Sequence, residues 1–202
     1  CNSNGNTDAC DIWERIINIE ETRRDCNENI IPDECEPDCN GNGTPDDCDL
    51  AQGGDECNHN GILDVCETST ILYVDDDVLV RGDGQSWNTA YQRLEDALLS
   101  AGCLAYPQEI HVAGGTYRPA LSNGARTNSF ALPSSKPVLG GYAGLSVPKG
   151  QRDNRNPRQY VSILSGDLNE DDTIGDFNNN RDDNVYHVVY CQTDGTLDGF
   201  TI

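Results

Sequence analysis

Residues 38–49, with the sequence DCNGNGTPDDCD, carry the side chains and the spacing needed to wrap a calcium ion. Oxygen-bearing side chains fall at loop positions 1, 3, 5, 9 and 12, and position 7 contributes a backbone carbonyl oxygen. A glycine stands at position 6, where the chain must turn sharply around the ion. The predicted ligands are Asp38, Asn40, Asn42, Thr44, Asp46 and Asp49.

The same spacing occurs four times, each time with cysteines at loop positions 2 and 11. We call residues 1–11, 25–36, 38–49 and 56–67 the first, second, third and fourth loops. In the first loop, Cys1 corresponds to position 2 and Asp11 to position 12. An Asx-rich linker would also favour turns, but chance does not keep five oxygen positions and two cysteines in phase across the copies. We therefore expect about four bound calcium ions, although Ile30 replaces the position-6 glycine and should distort or weaken the second loop. The other predicted ligands are Asn2, Asn4, Asn6, Asp8, Asp11, Asp25, Asn27, Asn29, Ile31, Asp33, Glu36, Glu56, Asn58, Asn60, Ile62, Asp64 and Glu67.

A further acidic stretch in the second half of the chain is a candidate for a fifth calcium ion. Asp167, Asn169 and Asp171 repeat the spacing of positions 1, 3 and 5, and Asn178 falls at position 12. Asp172 stands where the other loops favour glycine. The alternative is a solvated loop rich in turn-forming residues, and the sequence leaves the two interpretations equally open.

The charge and the cysteine content restrict the function classes. The formal net charge is -22, from 35 acidic and 13 basic side chains, which excludes a nucleic-acid-binding face of the usual basic kind. Ten cysteines at regular spacing indicate an oxidising compartment, so a secreted, extracellular or cell-surface protein is expected. Zinc is disfavoured, because hard oxygen ligands lie between the cysteines and the chain has only three histidines. No segment has the roughly 20 apolar residues of a membrane span.

The cysteine frame can pair in two ways. Closing each loop on itself would join Cys1 to Cys10, Cys26 to Cys35, Cys39 to Cys48 and Cys57 to Cys66. Pairing between neighbouring loops is the alternative, since spacing alone does not settle connectivity. Cys103 and Cys191 remain, and we expect a disulfide between them because secreted proteins seldom leave two thiols free.

The elements that must position these loops divide into two parts, residues 1–68 and 69–202. In the first part, residues 12–23 have the apolar period of a short amphipathic helix, but too few apolar residues accompany it to form a conventional core. Metal ions and disulfides would therefore hold this module together. In the second part, the pattern predicts one helix, at about residues 87–101, and otherwise only strands. The predicted strands are 71–77, 109–113, 130–132, 137–140, 160–164, 185–190 and 197–202.

Six segments in the second part carry a family resemblance. They are YVDDD (73–77), GDGQSWNTAYQRLEDAL (82–98), EIHVAGGTYRP (109–119), LGGYAG (139–144), ILSGDLNEDD (163–172) and LDGFTI (197–202). They resemble the opening of a right-handed parallel β-helix of the pectate-lyase-like superfamily, which occurs in large bacterial secreted and surface proteins. The resemblance implies a mainly β fold whose early helix caps the first coil. The calcium loops resemble those of dockerin modules and of thrombospondin type 3 repeats.

These features favour an extracellular, calcium-stabilised structural protein: a fibre, surface-layer or adhesive component that assembles head to tail. Its partner would be another copy, or the β-helix would continue into further coils. The β-helix resemblance implies an alternative, a polysaccharide-binding protein or a lyase in which calcium acidifies a sugar proton and a basic side chain removes it. The negative net charge would repel a polyuronate, and no spacing distinguishes a base. The dockerin resemblance implies a second alternative, a protein-binding module that presents residues 12–23. The candidate lyase bases are Arg81, Arg118, Lys136, Lys149, Arg152, Arg155, Arg158 and Arg181.

Overall fold

The structure, a computed structural model, describes residues 25–58, 60–80, 82–104, 109–173, 175–176, 179–191 and 194–202. The first loop with all its predicted ligands and cysteines, the predicted helix at 12–23, Arg81 and Asn178 lie outside these residues. Contacts between Cα atoms divide the chain into two compact units, Cys1–Thr68 and Ser69–Ile202. We call them the loop unit and the strand unit.

The loop unit has only short helical turns in its described part. A 3₁₀ turn at Asp33–Cys35, helix α1 at Asp46–Ala51 and a 3₁₀ turn at Asp64–Cys66 each begin at loop position 9. Cys48 and Leu63 are its buried hydrophobic side chains among the described residues. Hydrophobic burial of this extent cannot by itself offset the entropy of ordering the chain.

The described residues of the strand unit form short strands and helix α2 at Leu94–Cys103. The strands are β1 Ile71–Val74, β2 Glu109–Ala113, β3 Gly115–Tyr117, β4 Phe130–Leu132, β5 Val138–Tyr142, β6 Ser162–Leu164, β7 Val189–Cys191, β8 Leu197–Asp198 and β9 Phe200–Thr201. Pairs of these described strands are all parallel, and they build three small sheets with the orders β1-β2-β5-β8, β3-β6-β9 and β4-β7. From β2 onward the chain visits the three sheets in turn.

Side chains from the three sheets and from α2 share one hydrophobic core. Leu72 and Val74 of β1 pair in register with Ile110 and Val112 of β2, and all four are buried. Parallel strands covered on their inner face carry such apolar residues at alternating positions. Helix α2 adds Leu94, Ala97, Leu98 and Ala101 to this core.

Helix α2 begins later than the predicted start near residue 87. Residues Trp87–Thr89 form a 3₁₀ turn, in which Ser86 Oγ accepts a hydrogen bond from the nitrogen of Thr89 at 3.3 Å. Tyr91 then forms a parallel bridge with Val74. Because pairing with β1 holds this segment extended, the helix begins only at Leu94.

The strand prediction is correct in its bounds for β2 and β4, and it misses β3. The predicted strand at 197–202 is divided at Gly199, which has a φ of 83°. A Cβ at Gly199 would lie 2.5 Å from the carbonyl oxygen of Gly140, so the backbones at these two glycines approach closely.

The outer edge of β1 is occupied by residues of the same unit. Tyr73 N donates to Gly84 O at 2.8 Å, Tyr91 N donates to Tyr73 O at 2.9 Å, and Asp75 N donates to Tyr91 O at 2.9 Å. The carboxylate of Asp76 accepts from the nitrogen of Thr116 in β3 at 3.1 Å. The outer edge of β1 is therefore hydrogen-bonded within the strand unit. None of the helices in the described part of the chain is long and apolar enough to cross a membrane.

Candidate metal centres

The carboxylate of Asp38, at position 1 of the third loop, is surrounded by backbone N–H groups of its own loop. Its Oδ1 accepts from the nitrogens of Gly41 and Asn42 at 2.8 and 3.2 Å, and its Oδ2 accepts from Gly43 at 2.9 Å. Gly41 and Gly43 have φ angles of 69° and 88°, left-handed values that glycine adopts without strain. The loop is therefore folded around this carboxylate.

Positions 3, 5 and 9 hold the remainder of the third loop. Asn40 Oδ1 accepts from the nitrogen of Asn42 at 2.9 Å, and Asn42 Oδ1 accepts from Thr44 at 2.7 Å. Asp46 Oδ1 accepts from the nitrogen of Cys39 at 2.9 Å. The acceptors are all predicted ligands, so the hydrogen bonds that shape the loop also orient the side chains that would bind the ion.

The second loop keeps this pattern despite Ile30. Asp25 Oδ1 and Oδ2 accept from Asn29 and Ile30, each at 3.1 Å, and Asn29 Oδ1 accepts from Ile31 at 2.7 Å. Ile30 has a φ of 73°, a left-handed conformation that costs a non-glycine residue about 1–2 kcal/mol. The side chain is 61% exposed, so its burial recovers little of this free energy. The substitution therefore places strain in the backbone and leaves the hydrogen bonds in place.

The fourth loop is the most sheltered of the described loops. The nitrogen of Asn60 donates to Glu56 Oε1 at 2.6 Å, and the nitrogen of Ile62 donates to Asn60 Oδ1 at 2.8 Å. Asn58 and Glu67, at positions 3 and 12, are each only 3% exposed. Buried carboxylates require a compensating partner, and a bound cation is one.

The position-12 carboxylate meets the side chains of positions 3 and 5 in each described loop. The amide Nδ2 groups at positions 3 and 5 donate to it at 2.9 and 2.7 Å in the second and third loops, and at 2.9 and 2.8 Å in the fourth. In addition, the nitrogen of position 2 donates to Oδ1 of the position-9 aspartate at 2.9, 2.9 and 3.2 Å. The residues so gathered are Asn27, Asn29, Asp33 and Glu36; Asn40, Asn42, Asp46 and Asp49; and Asn58, Asn60, Asp64 and Glu67.

This donor set fits calcium. Each loop brings carboxylate and amide groups together, and hard oxygen ligands from one flexible segment suit Ca²⁺. Glu36 Oε2 is buried and has no hydrogen-bond partner among the described atoms, which leaves a carboxylate oxygen available to a cation. The amide oxygens at positions 3 and 5 accept backbone N–H groups, and a carbonyl oxygen held in this way has a second lone pair with which to bind an ion.

The disulfides join neighbouring loops. Cys26 bonds to Cys48 and Cys39 bonds to Cys66, with Cα–Cα distances of 6.1 and 5.7 Å. Each bond links position 2 of one loop to position 11 of the next. The pairing of each loop on itself is therefore wrong for Cys26–Cys35, Cys39–Cys48 and Cys57–Cys66, and the alternative applies. The turn that starts at position 9 directs the position-11 cysteine toward the preceding loop, and Cys48 is buried there.

The predicted bond between Cys103 and Cys191 is not formed. Cys103 is disulfide-bonded, but Cys191 is not its partner. Cys191 ends β7, where it pairs with Leu132 of β4, and α2 packs against β4. Strand β4 therefore lies between β7, which carries Cys191, and α2, which carries Cys103.

Asp167 repeats the arrangement of Asp38 in the strand unit. Its Oδ1 accepts from the nitrogens of Glu170 and Asp171 at 2.8 and 3.3 Å, and its Oδ2 accepts from Asp172 at 3.1 Å. Asp183 Oδ2 accepts from the nitrogen of Asn169 at 2.8 Å. Oxygens of Asp167, Asp171 and Asp183 lie within 4.8 Å of one another.

Asp183 was not identified from the sequence, because it lies well beyond the twelve-residue spacing. Like-charge crowding is evident at this cluster: desolvation and the carboxylates of Asp183, Asp167 and Asp172 raise the pKa of Asp171. Asp172 occupies the position of the missing glycine, and its carboxylate accepts from Arg181 Nη1 at 2.6 Å and Asn184 Nδ2 at 2.8 Å.

The acidic residues that end β1 have a structural role. Asp75 is 1% exposed, and its carboxylate accepts from the nitrogens of Leu145 and Asp77 at 2.7 and 3.0 Å. Burial raises the pKa of Asp75, and it also raises that of Asp76. These hydrogen bonds tie the end of β1 to neighbouring turns of the strand unit.

Several candidate bases for polysaccharide cleavage hold structural contacts. Arg118 pairs with Glu170 at 3.0 Å, Arg155 pairs with Asp198 at 2.7 Å, and Arg181 pairs with Asp172 at 2.6 Å. Lys136 Nζ donates to the carbonyl oxygens of Ala101 and Leu104, at the C-terminal end of α2. Desolvation lowers the pKa of Lys136.

Comparison with known proteins gives no match: no family model, no curated protein and no solved structure matches this chain. The function is therefore inferred from the geometry of the loops and of the parallel sheets.

Proposed function

We propose that this chain is an extracellular, calcium-stabilised structural protein. The observation that carries the proposal is the repeated loop geometry: in three loops, the position-1 carboxylate accepts backbone N–H groups of its own loop, and the position-12 carboxylate accepts the side-chain amides of positions 3 and 5. Calcium suits these sites better than magnesium, which demands a near-ideal octahedron and retains its water. The disulfides support an oxidising, extracellular setting.

Calcium is proposed as a folding component of the loop unit. In its described part, the unit combines many carboxylates with few buried apolar side chains, so like-charge repulsion opposes its compact form. An ion that binds only the folded loops stabilises them by mass action. The first loop and the Asp167 cluster are further proposed sites, which gives about four ions in the loops and a fifth at Asp167.

The strand unit is proposed to be the start of a capped parallel β-helix. Support comes from the three parallel sheets visited in turn and from α2, which packs against β1, β2 and β4. The pairing of Arg118, Arg155 and Arg181 with carboxylates supports a structural role for these side chains over a catalytic one.

Self-association is proposed through the outer edges of β7, β8 and β9. These strands are last in their sheets among the described residues, and such an edge is a template for a further strand, either from another copy of the chain or from further coils of the same β-helix. Because the outer edge of β1 is already paired, a head-to-tail contact would have to use other groups at that end. Sedimentation velocity and electron microscopy in millimolar calcium test this proposal, and a concentration-independent monomer would exclude it.

Thermal unfolding with calcium and with chelator tests the calcium proposal. At calcium tenfold above Kd, each site contributes about 1.4 kcal/mol, so three loops contribute about 4 kcal/mol. A shift of about 4–8 °C per kcal/mol is usual for a small domain, so the midpoint of the loop unit should rise by about 15 °C or more. An unchanged midpoint would refute the proposal.

A matched pair of variants assigns the effect to the ligands. Glu36→Gln removes a proposed position-12 ligand, whereas Glu34→Gln makes the same charge change at an exposed residue outside the ligand set. Isothermal titration calorimetry should show the loss of one site in Glu36→Gln and full stoichiometry in Glu34→Gln. Equal losses in both would mean that only net charge matters.

A further inference from the structure

Residues 149–158 form a basic segment on an acidic protein. They contain four of the chain's 13 lysine and arginine residues and only one acidic residue, whereas the whole chain has a formal net charge of -22. The four basic side chains are spaced three residues apart: Lys149, Arg152, Arg155 and Arg158. We call residues 149–158 the basic segment.

The strand unit holds the basic segment in a fixed backbone conformation. The nitrogen of Asn156 donates to the carbonyl oxygen of Gly141 at 2.7 Å. Asp153, the one acidic residue of the segment, accepts from Trp87 Nε1 at 2.8 Å. Because the segment is ordered before any partner arrives, little conformational entropy is lost when it binds one.

Two of the four cations have partners within the strand unit, and two face solvent. Arg155 Nη2 donates to Asp198 Oδ2 at 2.7 Å, and Arg152 Nη1 donates to a side-chain amide oxygen at 2.6 Å. Lys149 and Arg158 are exposed, and their side chains form no hydrogen bond or ion pair with the other described residues. Their positive charges are therefore accessible to carboxylates of another molecule.

Residues 25–67 have the opposite charge pattern. They contain 13 acidic residues and no lysine or arginine. Nine of these acidic residues belong to the proposed ligand sets, in which bound ions would offset their charge. The other four are exposed and lie outside those sets: Glu28, Glu34, Asp47 and Asp55. Calcium binding would therefore leave these four carboxylates negative.

We propose that the basic segment docks these exposed acidic residues of a second copy of the chain, a contact that rests on the self-association proposed above. Because the outer edge of β1 is hydrogen-bonded within its own unit, head-to-tail association needs a surface other than that edge. Charge complementarity selects this occupant, since the acidic side carries no basic residue that would repel the segment. The two surfaces differ, so the contact is heterologous and can propagate from copy to copy.

Sedimentation velocity of two charge-reversal variants in millimolar calcium tests this contact. One is the double variant Lys149→Glu/Arg158→Glu, and the other is the double variant Asp47→Lys/Asp55→Lys. Each variant alone should associate about tenfold more weakly than the unmodified chain, because two attractive pairs become repulsive. An equimolar mixture of the two should restore association, since each variant then supplies the charge that the other has lost.

The Asp47→Lys/Asp55→Lys variant separates docking from the effect of net charge. This variant lowers the net negative charge of the chain, so general repulsion between copies alone predicts stronger association. Docking predicts weaker association. The control variant Lys149→Arg/Arg158→Lys keeps both charges and should associate as the unmodified chain does. Thermal unfolding of each variant in calcium shows that a change in association does not arise from a misfolded chain.

The possible failures are distinguishable. Equal association of the unmodified chain and both charge-reversal variants would overturn the docking contact and leave self-association through the strand edges intact. An unmodified chain that is monomeric at all concentrations would overturn both. Retention of the unmodified chain on immobilised polygalacturonate, lost in Lys149→Glu/Arg158→Glu with self-association unchanged, would assign the basic segment to an acidic polysaccharide and overturn the contact between copies.

Discussion

Replacing Gly43 by alanine separates backbone strain from packing in the third loop. Gly43 has a φ of 88°, and a Cβ at this residue would meet no atom within 4 Å. Alanine therefore introduces no clash, but the left-handed conformation costs a non-glycine residue about 1–2 kcal/mol. The reduced freedom of the unfolded chain returns about 0.4–1 kcal/mol. The net cost of the folded loop should be about 1 kcal/mol, which corresponds to about a fivefold loss of calcium affinity.

Calcium titration by isothermal calorimetry measures this loss, with Gly150→Ala as the control. Gly150 also has open space at the Cβ position, but its φ is not left-handed, so alanine there should leave calcium affinity unchanged. Ile30→Gly is the reciprocal change, and it should raise the affinity of the second loop by a similar factor. Equal affinities for Gly43→Ala and Gly150→Ala would refute the strain assigned to alanine at position 6 of the third loop.

Two further predictions concern the strand unit. Asp183→Asn should weaken terbium or calcium binding at the Asp167 cluster by about tenfold, because ligand charge sets affinity. The control variant Asp182→Asn, at the exposed neighbouring residue, should leave this affinity unchanged. Equal effects of the two variants would argue against Asp183 as a ligand. Burial raises the pKa of Asp75 above that of a free aspartate, so the folded state holds the proton more tightly. The free energy of unfolding therefore falls as pH rises from the free value through the raised pKa. Urea unfolding across this range should show a smaller fall for Asp75→Asn, and an unchanged slope would assign the pH dependence to other groups.

The hydrogen-bonded turns of the loops could be predicted from the sequence because they lie within one short segment. Asp38 and Asp49 enclose their own loop, and the hydrogen bonds that orient them come from residues at most nine positions away. The position of Asp183 depends instead on how a longer excursion folds back, which local spacing does not encode. The disulfide partners were missed for the same reason, since Cys26 and Cys48 are separated by 22 residues.

The strands of the second unit were largely predictable, but the start of the helix was not. Alternating apolar residues locate β2 and β4, because their inward side chains must enter the core. The start of α2 depends on competition for Tyr91, which pairs with Val74 of β1. Helical periodicity extends through Tyr91, but the hydrogen bonds to β1 are non-local and outweigh it.

The loops also show which part of the sequence signal matters. Position 4 adopts a left-handed φ wherever the structure describes its angle: 59° at Glu28, 69° at Gly41 and 61° at Glu170. Position 6 is glycine in the third loop, strained isoleucine in the second and Asp172, without a left-handed φ, in the Asp167 loop. The position-1 carboxylate nevertheless accepts the position-5 and position-6 N–H groups in all three. The acid at position 1 and the turn at position 4 therefore define this loop, and the glycine at position 6 only lowers the free energy needed to form it.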